Sequence, residues 1–155
     1  MRSRITRSDT KAIIALGVDV GTNKTGIALY KNGVIYPLTA ITGKHILPAI
    51  VETIYDHEVN VVVLGVPSYG DMRAKILRLY KDLIKRCPKI GVILVKEDNT
   101  SKIARAEILS EQITVGAVNK SKLIKQAKNR GVLDAYAAIL ILKMGLDKLG
   151  VEYKV

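Results

Sequence analysis

Four acidic residues of this 155-residue chain stand where predicted strands end or where the last predicted helix begins. Asp19 follows the first apolar run, and Glu97 and Asp98 follow a later one. Asp134 falls in the first turn of the final helical segment, where the helix dipole favours a negative charge. Carboxylates hold hard divalent cations, and two such ions about 3.5–4 Å apart stabilise the charges that develop when a phosphodiester is hydrolysed. Three or more acids brought together would suit that chemistry.

The segment around Asp19 predicts a hairpin with a polar, glycine-rich loop. Apolar runs lie on both sides of residues 19–26, which indicates a strand, a loop and a second strand. A buried carboxylate is costly unless it is paired, hydrogen-bonded or bound to a cation. Gly21 and Gly26 let the backbone turn tightly and approach a phosphate or a metal. The alternative is that Asp19 only caps a turn, since Asp and Gly are common turn residues.

The composition indicates one basic domain of α/β type. The chain has 25 Lys and Arg against 14 Asp and Glu, which gives a net charge of +11 and a field that attracts polyanions. Nucleic acid is the first partner to consider, while an anionic membrane surface, an acidic protein or a solvated coat of charge remain open. With 48% hydrophobic residues and no Phe or Trp, the core must be aliphatic, which suits a sheet covered by helices.

The N-terminal segment and the cysteine content predict a cytoplasmic protein without a membrane partner. Cys87 is the single cysteine, and no Cys/His cluster has zinc-site spacing, so a reduced setting fits. The N-terminus resembles neither a signal peptide nor a membrane span. We expect residues 1–11 to form a basic, flexible arm and residues 12–155 to form a single domain.

Periodicity predicts three antiparallel strands followed by alternating helices and strands. Asn32-Gly33 indicates a tight turn, Asp71 is expected to cap a helix, and Gly150 is expected to end the last one. The right-handed crossover rule then gives a five-stranded mixed sheet of order 3-2-1-4-5 flanked by helices. The predicted helices cover residues 44–57, 72–85, 100–112 and 133–149, the later strands cover 34–41, 59–66 and 90–95, and 113–130 is a basic loop.

Four motifs resemble the YqgF/RuvX group of Holliday-junction-resolvase-like nucleases, in the ribonuclease H-like superfamily. The first is Gly-x-Asp-x-Gly-Thr-x-x-x-Gly-x-Ala at 17–28, and the last is Asp-Ala-x-Ala-Ala at 134–138. Between them lie a Gly-x-Pro motif at 65–67 and Lys96-Glu97-Asp98-Asn99-Thr100-Ser101, which matches the group's Asp-Glu-Arg-x-Thr-Thr in its Glu and one Thr. The first motif also resembles that of actin-like, sugar-kinase and chaperone ATPases, but those proteins need two such domains.

The resemblance implies a ribonuclease H-like fold and a metal-dependent endonuclease. It implies Asp19, Glu97 and Asp134 as catalytic residues that, with Asp98, hold Mg²⁺ or Mn²⁺, most simply two ions. Branched DNA cleaved by a homodimer is ranked first. The alternatives are processing of pre-16S ribosomal RNA and a catalytically silent nucleic-acid-binding module, which the altered 96–98 segment favours. Glu97 and Asp98 could instead form a solvated loop, and Asp134 could be a plain helix acid.

Basic and aromatic residues near these motifs are the predicted nucleic-acid contacts. Phosphate contacts of this kind position the strand without reading its sequence and make binding sensitive to salt. An exposed aromatic ring can stack on a base. The predicted contacts are Lys24, Tyr69, Arg73, Lys120, Lys122, Lys125, Lys128 and Arg130.

Overall fold

A five-stranded mixed sheet forms the centre of the protein. The computed structural model describes residues 13–97 and 132–154, with the side chains of the second range from residue 135 onward. The strands are β1 (Ala15–Asp19), β2 (Lys24–Lys31), β3 (Val34–Thr42), β4 (Val61–Val66) and β5 (Gly91–Lys96). Their order is β3-β2-β1-β4-β5, with β1, β4 and β5 parallel and β2 antiparallel to both of its neighbours. The predicted strand order is confirmed.

Helices cover both faces of this sheet. On one face lie α1 (Ile46–Asp56) and α2 (Asp71–Arg86), which follow β3 and β4, and on the other lies α3 (Val132–Leu149). Leu64 of β4 packs in the first core cluster and Val63 in the second, because successive residues of a strand point to opposite faces. The predicted arm, the helix over 100–112 and the basic loop lie outside the described residues. No helix in the described ranges is long and apolar enough to cross a membrane.

Two glycine signals in the sequence are confirmed, and one cap prediction is wrong. Asn32 and Gly33 have φ of 54° and 82°, the left-handed pair that a two-residue hairpin turn requires. After α3, Gly150 has φ of 69°, and the Val151 amide donates to the Leu146 carbonyl at 3.0 Å, as in a Schellman motif. Asp71 was expected to cap α2, but Gly70 takes the N-cap position and Asp71 is the first helical residue. Its charge there still complements the helix dipole.

The C-terminal tail adds backbone contacts to β3. The Ile35 amide donates to the Lys154 carbonyl at 2.8 Å, and the Lys154 amide donates to the Gly33 carbonyl at 2.8 Å. The Tyr30 hydroxyl donates to the Glu152 carbonyl at 3.2 Å, and burial raises the pKa of Tyr30 above its usual value. The tail is therefore hydrogen-bonded to β3, the outer strand of the sheet on the side opposite β5.

Glycines allow α3 to lie directly on β1 and β4. A Cβ atom on Gly17 would lie 2.6 Å from both the Ala138 carbonyl oxygen and the Leu142 Cβ. A Cβ atom on Gly145 would lie 2.5 Å from a methyl carbon of Val63. Real Cβ atoms do not approach other atoms this closely, so glycine is the residue that fits at these two positions without a shift of the helix.

We predict that Gly17→Ala destabilises the fold by about 1–3 kcal/mol, because the new methyl group must push α3 away from the sheet. Urea unfolding would measure the change. Gly91→Ala is the matched control, since its Cβ would meet no atom closer than 4.0 Å. Equal losses in the two variants would contradict this account of α3 packing.

Thr25 is a buried polar residue whose hydroxyl has no partner in the described structure. The residue is 0% exposed, and its Oγ1 makes no hydrogen bond to any described group. We predict that Thr25→Val raises the free energy of unfolding by about 1 kcal/mol, because it removes an unsatisfied hydroxyl while keeping the shape. Thr53→Val is the control, since that hydroxyl donates to the Ala49 carbonyl at 2.8 Å and should give no gain. A loss of stability in Thr25→Val would refute the prediction.

Candidate active site

Asp19 is the last residue of β1 and lies on the face of the sheet that α3 covers. Ala15 packs in the α3 core cluster and Gly17 contacts the helix backbone, so the two-residue alternation places Asp19 on the same face. Its partner across the ladder to β2 is Gly26, which carries no side chain. Asp19 is half-buried. The carboxylate therefore stands at the end of β1 beside a position left open by a glycine.

Glu97 reaches the same place from the other side of β4. Its amide donates to the Val66 carbonyl at 2.9 Å, which continues the β5 ladder by one residue. Its carboxyl carbon lies 3.2 Å from the point where a Cβ atom on Gly65 would stand. Val18 is paired with Leu64, so Asp19 and Gly65 are the next residues along two adjacent strands, about 4.8 Å apart. Asp19 and the Glu97 carboxyl therefore flank Gly65 on one face.

The direction of α3 brings its first turn to the same edge of the sheet. As β4 advances from Val63 to Gly65, the helix residue in contact moves back from Gly145 to Ile141, so α3 runs antiparallel to β4. Asp134 precedes Ala138 by one turn, about 6 Å. Asp19 follows Gly17 by two strand residues, about 6.6 Å. The backbone of Asp134 is thus level with the end of β1.

Several predicted site residues lie outside the described residues. Among the residues that are described, no group of three or more His, Cys, Asp or Glu side chains could hold a metal ion. That search includes Asp19 and Glu97 but neither Asp98 nor the side chain of Asp134. The five predicted basic contacts that also lie outside are Lys120, Lys122, Lys125, Lys128 and Arg130.

The other predicted nucleic-acid contacts surround this edge of the sheet. Lys24 is exposed at the start of β2, and strand alternation puts it on the same face as Gly26 and Asp19. Tyr69 is 84% exposed in the loop between β4 and α2. Arg73, in the first turn of α2, donates from Nη1 to the Pro67 carbonyl at 3.0 Å. These side chains could contact a strand lying across the edge.

Sequence reasoning missed two features of the site. The first is that Gly65 and Gly17 provide the space for the Glu97 carboxyl and for α3. The second is a cavity of about 270 Å³ beside the ends of β4 and β5, in which Lys96 takes part. The alternation of side chains along β5 is the sequence pattern that indicates a Lys96 side chain on the cavity side, since it places Lys96 and Glu97 on opposite faces of the sheet.

A larger cavity lies at the opposite end of the sheet and contains none of the predicted site residues. It has a volume of about 510 Å³ and opens between the C-terminal ends of α1 and α2. Its lining includes Tyr55 near the end of α1, and Cys87 and Ile90 in the link between α2 and β5, at the end of the sheet opposite Asp19 and Glu97. The larger cavity is therefore separate from the carboxylates.

Comparison with solved structures identifies the fold class. The fowlpox virus resolvase bound to Holliday junction DNA matches with a TM-score of 0.55 and 16% identity, over 89% of this chain and 97% of that one. RuvC from T. thermophilus with a Holliday junction substrate gives a TM-score of 0.52 and 12% identity, over 92% and 99%. At these identities the likeness defines the fold, which is ribonuclease H-like, as the sequence motifs implied.

Sequence comparison identifies the family. The family described as "RuvX: Holliday junction resolvase" matches residues 13–148. A protein of Helicobacter pylori named "Putative pre-16S rRNA nuclease" is 32% identical over 139 residues, which cover 86% of this chain and 96% of that protein. A protein of the same name from Trichormus variabilis is 28% identical over 149 residues, covering 89% and 90%. The chain belongs to the RuvX family of nucleases, so nucleic acid is its class of partner.

We predict that Gly65→Ala lowers nuclease activity about tenfold, because its methyl group would lie 3.2 Å from the Glu97 carboxyl carbon and shift that carboxyl. The same methyl group would also meet Ile141 Cδ1 at 2.5 Å. The double variant Gly65→Ala/Ile141→Val removes the Cδ1 contact and keeps the contact with Cγ1 at 2.9 Å, so it should recover part of the thermal stability without recovering activity. Cleavage rates and melting temperatures measured in parallel would check this. Recovery of both properties would show that helix displacement, not Glu97, was the cause.

Proposed function

We propose that this protein is a divalent-metal-dependent nuclease that processes the precursor of 16S ribosomal RNA. The observation that carries the proposal is the placement of Asp19 and of the Glu97 carboxyl next to Gly65 on one face of the sheet. The first turn of α3, which contains Asp134, points to the same edge. The backbone positions of acids from three distant segments of the chain thus lie at one edge of the sheet, which supports a site of the kind that phosphodiester hydrolysis requires.

The donor set suits Mg²⁺ or Mn²⁺. Carboxylate oxygens are the ligands that these hard cations prefer. A Cβ atom on Gly65 would stand 3.2 Å from the Glu97 carboxyl carbon, so the glycine keeps the space beside this carboxylate open. Asp19, Glu97 and Asp134 would hold the ions, with Asp98 as a further ligand. When bound, two ions would supply the activated water and the stabilising charge for the leaving oxygen.

The chain's own contribution is to hold and orient these groups. The Glu97 amide donates to the Val66 carbonyl, which holds the Glu97 backbone beside β4. The Asp19 backbone is held between β2 and β4. The α3 dipole favours the ionised form of an acid in its first turn, which is where Asp134 stands. A rigid set of carboxylates reduces the reorganisation needed at the moment of reaction.

Ribosomal RNA precursor is favoured as substrate by the sequence relatives. The relatives from Helicobacter pylori and Trichormus variabilis carry the pre-16S rRNA name, and each match covers at least 90% of the relative's length. The resolvase structures are only 12–16% identical and support the fold alone. This order reverses the ranking that the motifs and charge suggested.

Branched DNA is the second candidate, because the matching family is described as a Holliday junction resolvase. Symmetric cleavage of a four-way junction would require two active sites, and hence the homodimer expected from the sequence. A catalytically silent nucleic-acid-binding module is the third candidate. Loss of activity in Asp19→Asn would separate it from both nucleases.

The test compares the purified protein on precursor 16S rRNA and on a four-way DNA junction, with Mg²⁺ or Mn²⁺. We expect cleavage of the RNA, no cleavage after chelation of the metal, and a loss of at least about a thousandfold in Asp19→Asn and Glu97→Gln. Asp82→Asn is the control, because it removes an acid of α2 outside the site. Paired cuts in the junction with intact RNA would reverse the substrate assignment. Unchanged cleavage by Asp19→Asn would remove the proposed site.

A further inference from the structure

A cavity on the far side of the sheet edge lies next to the carboxylates. Val92 and Leu94 of β5 pack on the face covered by α1 and α2, whereas Ile93 and Val95 pack on the α3 face. The same alternation turns Lys96 toward α2 and Glu97 toward α3. The cavity, about 270 Å³, opens on the α2 side and is lined by Val66, Ser68, Arg73, Leu77, Leu94, Val95 and Lys96.

The cavity has a polar, basic rim and an apolar floor. Its rim consists of the exposed side chains of Ser68, Arg73 and Lys96. One guanidinium nitrogen of Arg73 donates to the Pro67 carbonyl at 3.0 Å, which holds the group over the loop and leaves its other donors for a ligand. The floor is formed by Leu77 and Leu94, which are only partly buried by the protein itself. A hydroxyl and two cations above apolar carbon suit an anion that carries a carbon skeleton.

The acid of α2 closest to the cavity weakens this preference only in part. Asp71, in the first turn of α2, is the acid of that helix nearest to the rim, and it is exposed to solvent. Exposed charges are strongly screened by water and salt, so Asp71 reduces the attraction of an anion without cancelling that of two cations. The described rim carries two positive groups and no acid.

We infer that this cavity, which we call the Lys96 pocket, binds a phosphodiester of the nucleic-acid strand next to the one that is cleaved. The inference rests on the proposed function, because it assigns the position of the strand relative to Asp19 and Glu97. Lys96 and Glu97 are consecutive, with Cα atoms about 3.8 Å apart, so a strand crossing the edge meets both faces. Lys96 and Arg73 hold the phosphate oxygens, Ser68 donates to them, and the sugar lies against Leu77 and Leu94.

The test measures binding rather than cleavage, so it does not depend on catalysis. Affinity for a single-stranded RNA oligonucleotide is measured in the Asp19→Asn background, with and without Lys96→Gln. We expect Lys96→Gln to weaken binding about three- to tenfold and to lower the magnitude of the salt slope by about 0.7, as one lost phosphate contact predicts for a single strand. Lys96→Arg keeps the charge and should bind like the parent. Lys85→Gln removes a charge at the other end of α2 and should keep the parent slope.

A set of oligonucleotides with one neutral methylphosphonate linkage each locates the phosphate. Neutralising one linkage beside the cleavage position should weaken binding of the oligonucleotide by the Asp19→Asn parent. The same change should leave binding by the variant that also carries Lys96→Gln unaffected. If Lys96→Gln and Lys85→Gln weaken binding equally, or if every linkage responds alike in both proteins, the Lys96 pocket is not a specific site. Failure of cleavage with this binding pattern intact would refute the nuclease proposal and leave the pocket standing.

Discussion

The close contact between α3 and the sheet is the interaction on which the candidate site depends. At Gly17, Gly65 and Gly145 one of the two facing residues has no side chain, so α3 lies close to strands β1 and β4. Four helix residues advance about 6 Å and two strand residues about 6.6 Å, so the contact repeats from Gly145 to Ile141 in step with Val63 to Gly65. Because the contact stays in register along α3, the first turn of the helix lies level with the end of β1. A bulkier residue at any of these positions would shift the helix, and an acid at its start would move with it.

The sheet topology brings the remaining groups to that point and separates their charges. Strands β1, β4 and β5 are parallel, so their carboxyl ends share one edge, and open α/β sheets place their sites there. Lys96 and Glu97 are adjacent in the chain, yet alternation on β5 sends their side chains to opposite faces of the sheet. In the proposed site, cation ligands and phosphate contacts would therefore occupy neighbouring but distinct spaces.

The parts of the structure that the sequence predicts well are those with local signals. The Asn32-Gly33 turn and the Gly150 helix end need a positive φ that glycine or asparagine supplies, and both follow from a few adjacent residues. The strand order follows from chain order and handedness. The role of Gly65 could not be predicted in this way, because it depends on which residues of β5 and α3 lie over it. The N-cap of α2 was assigned to the wrong residue because Gly70 and Asp71 are both compatible with a helix start.

The chemistry at this edge also limits how RNA and DNA can be distinguished. Contacts from Lys24, Arg73 and Lys96 to phosphate would serve both polymers equally, since phosphate oxygens carry no information about base or sugar. Discrimination must therefore come from a group beside the ribose 2′-hydroxyl or from the shape of the substrate. In the proposed function one copy of the chain supplies one active site, and one active site is enough to cut a single strand. A four-way junction presents two symmetric strands and needs a second copy, so the number of chains in the active species bears directly on the substrate.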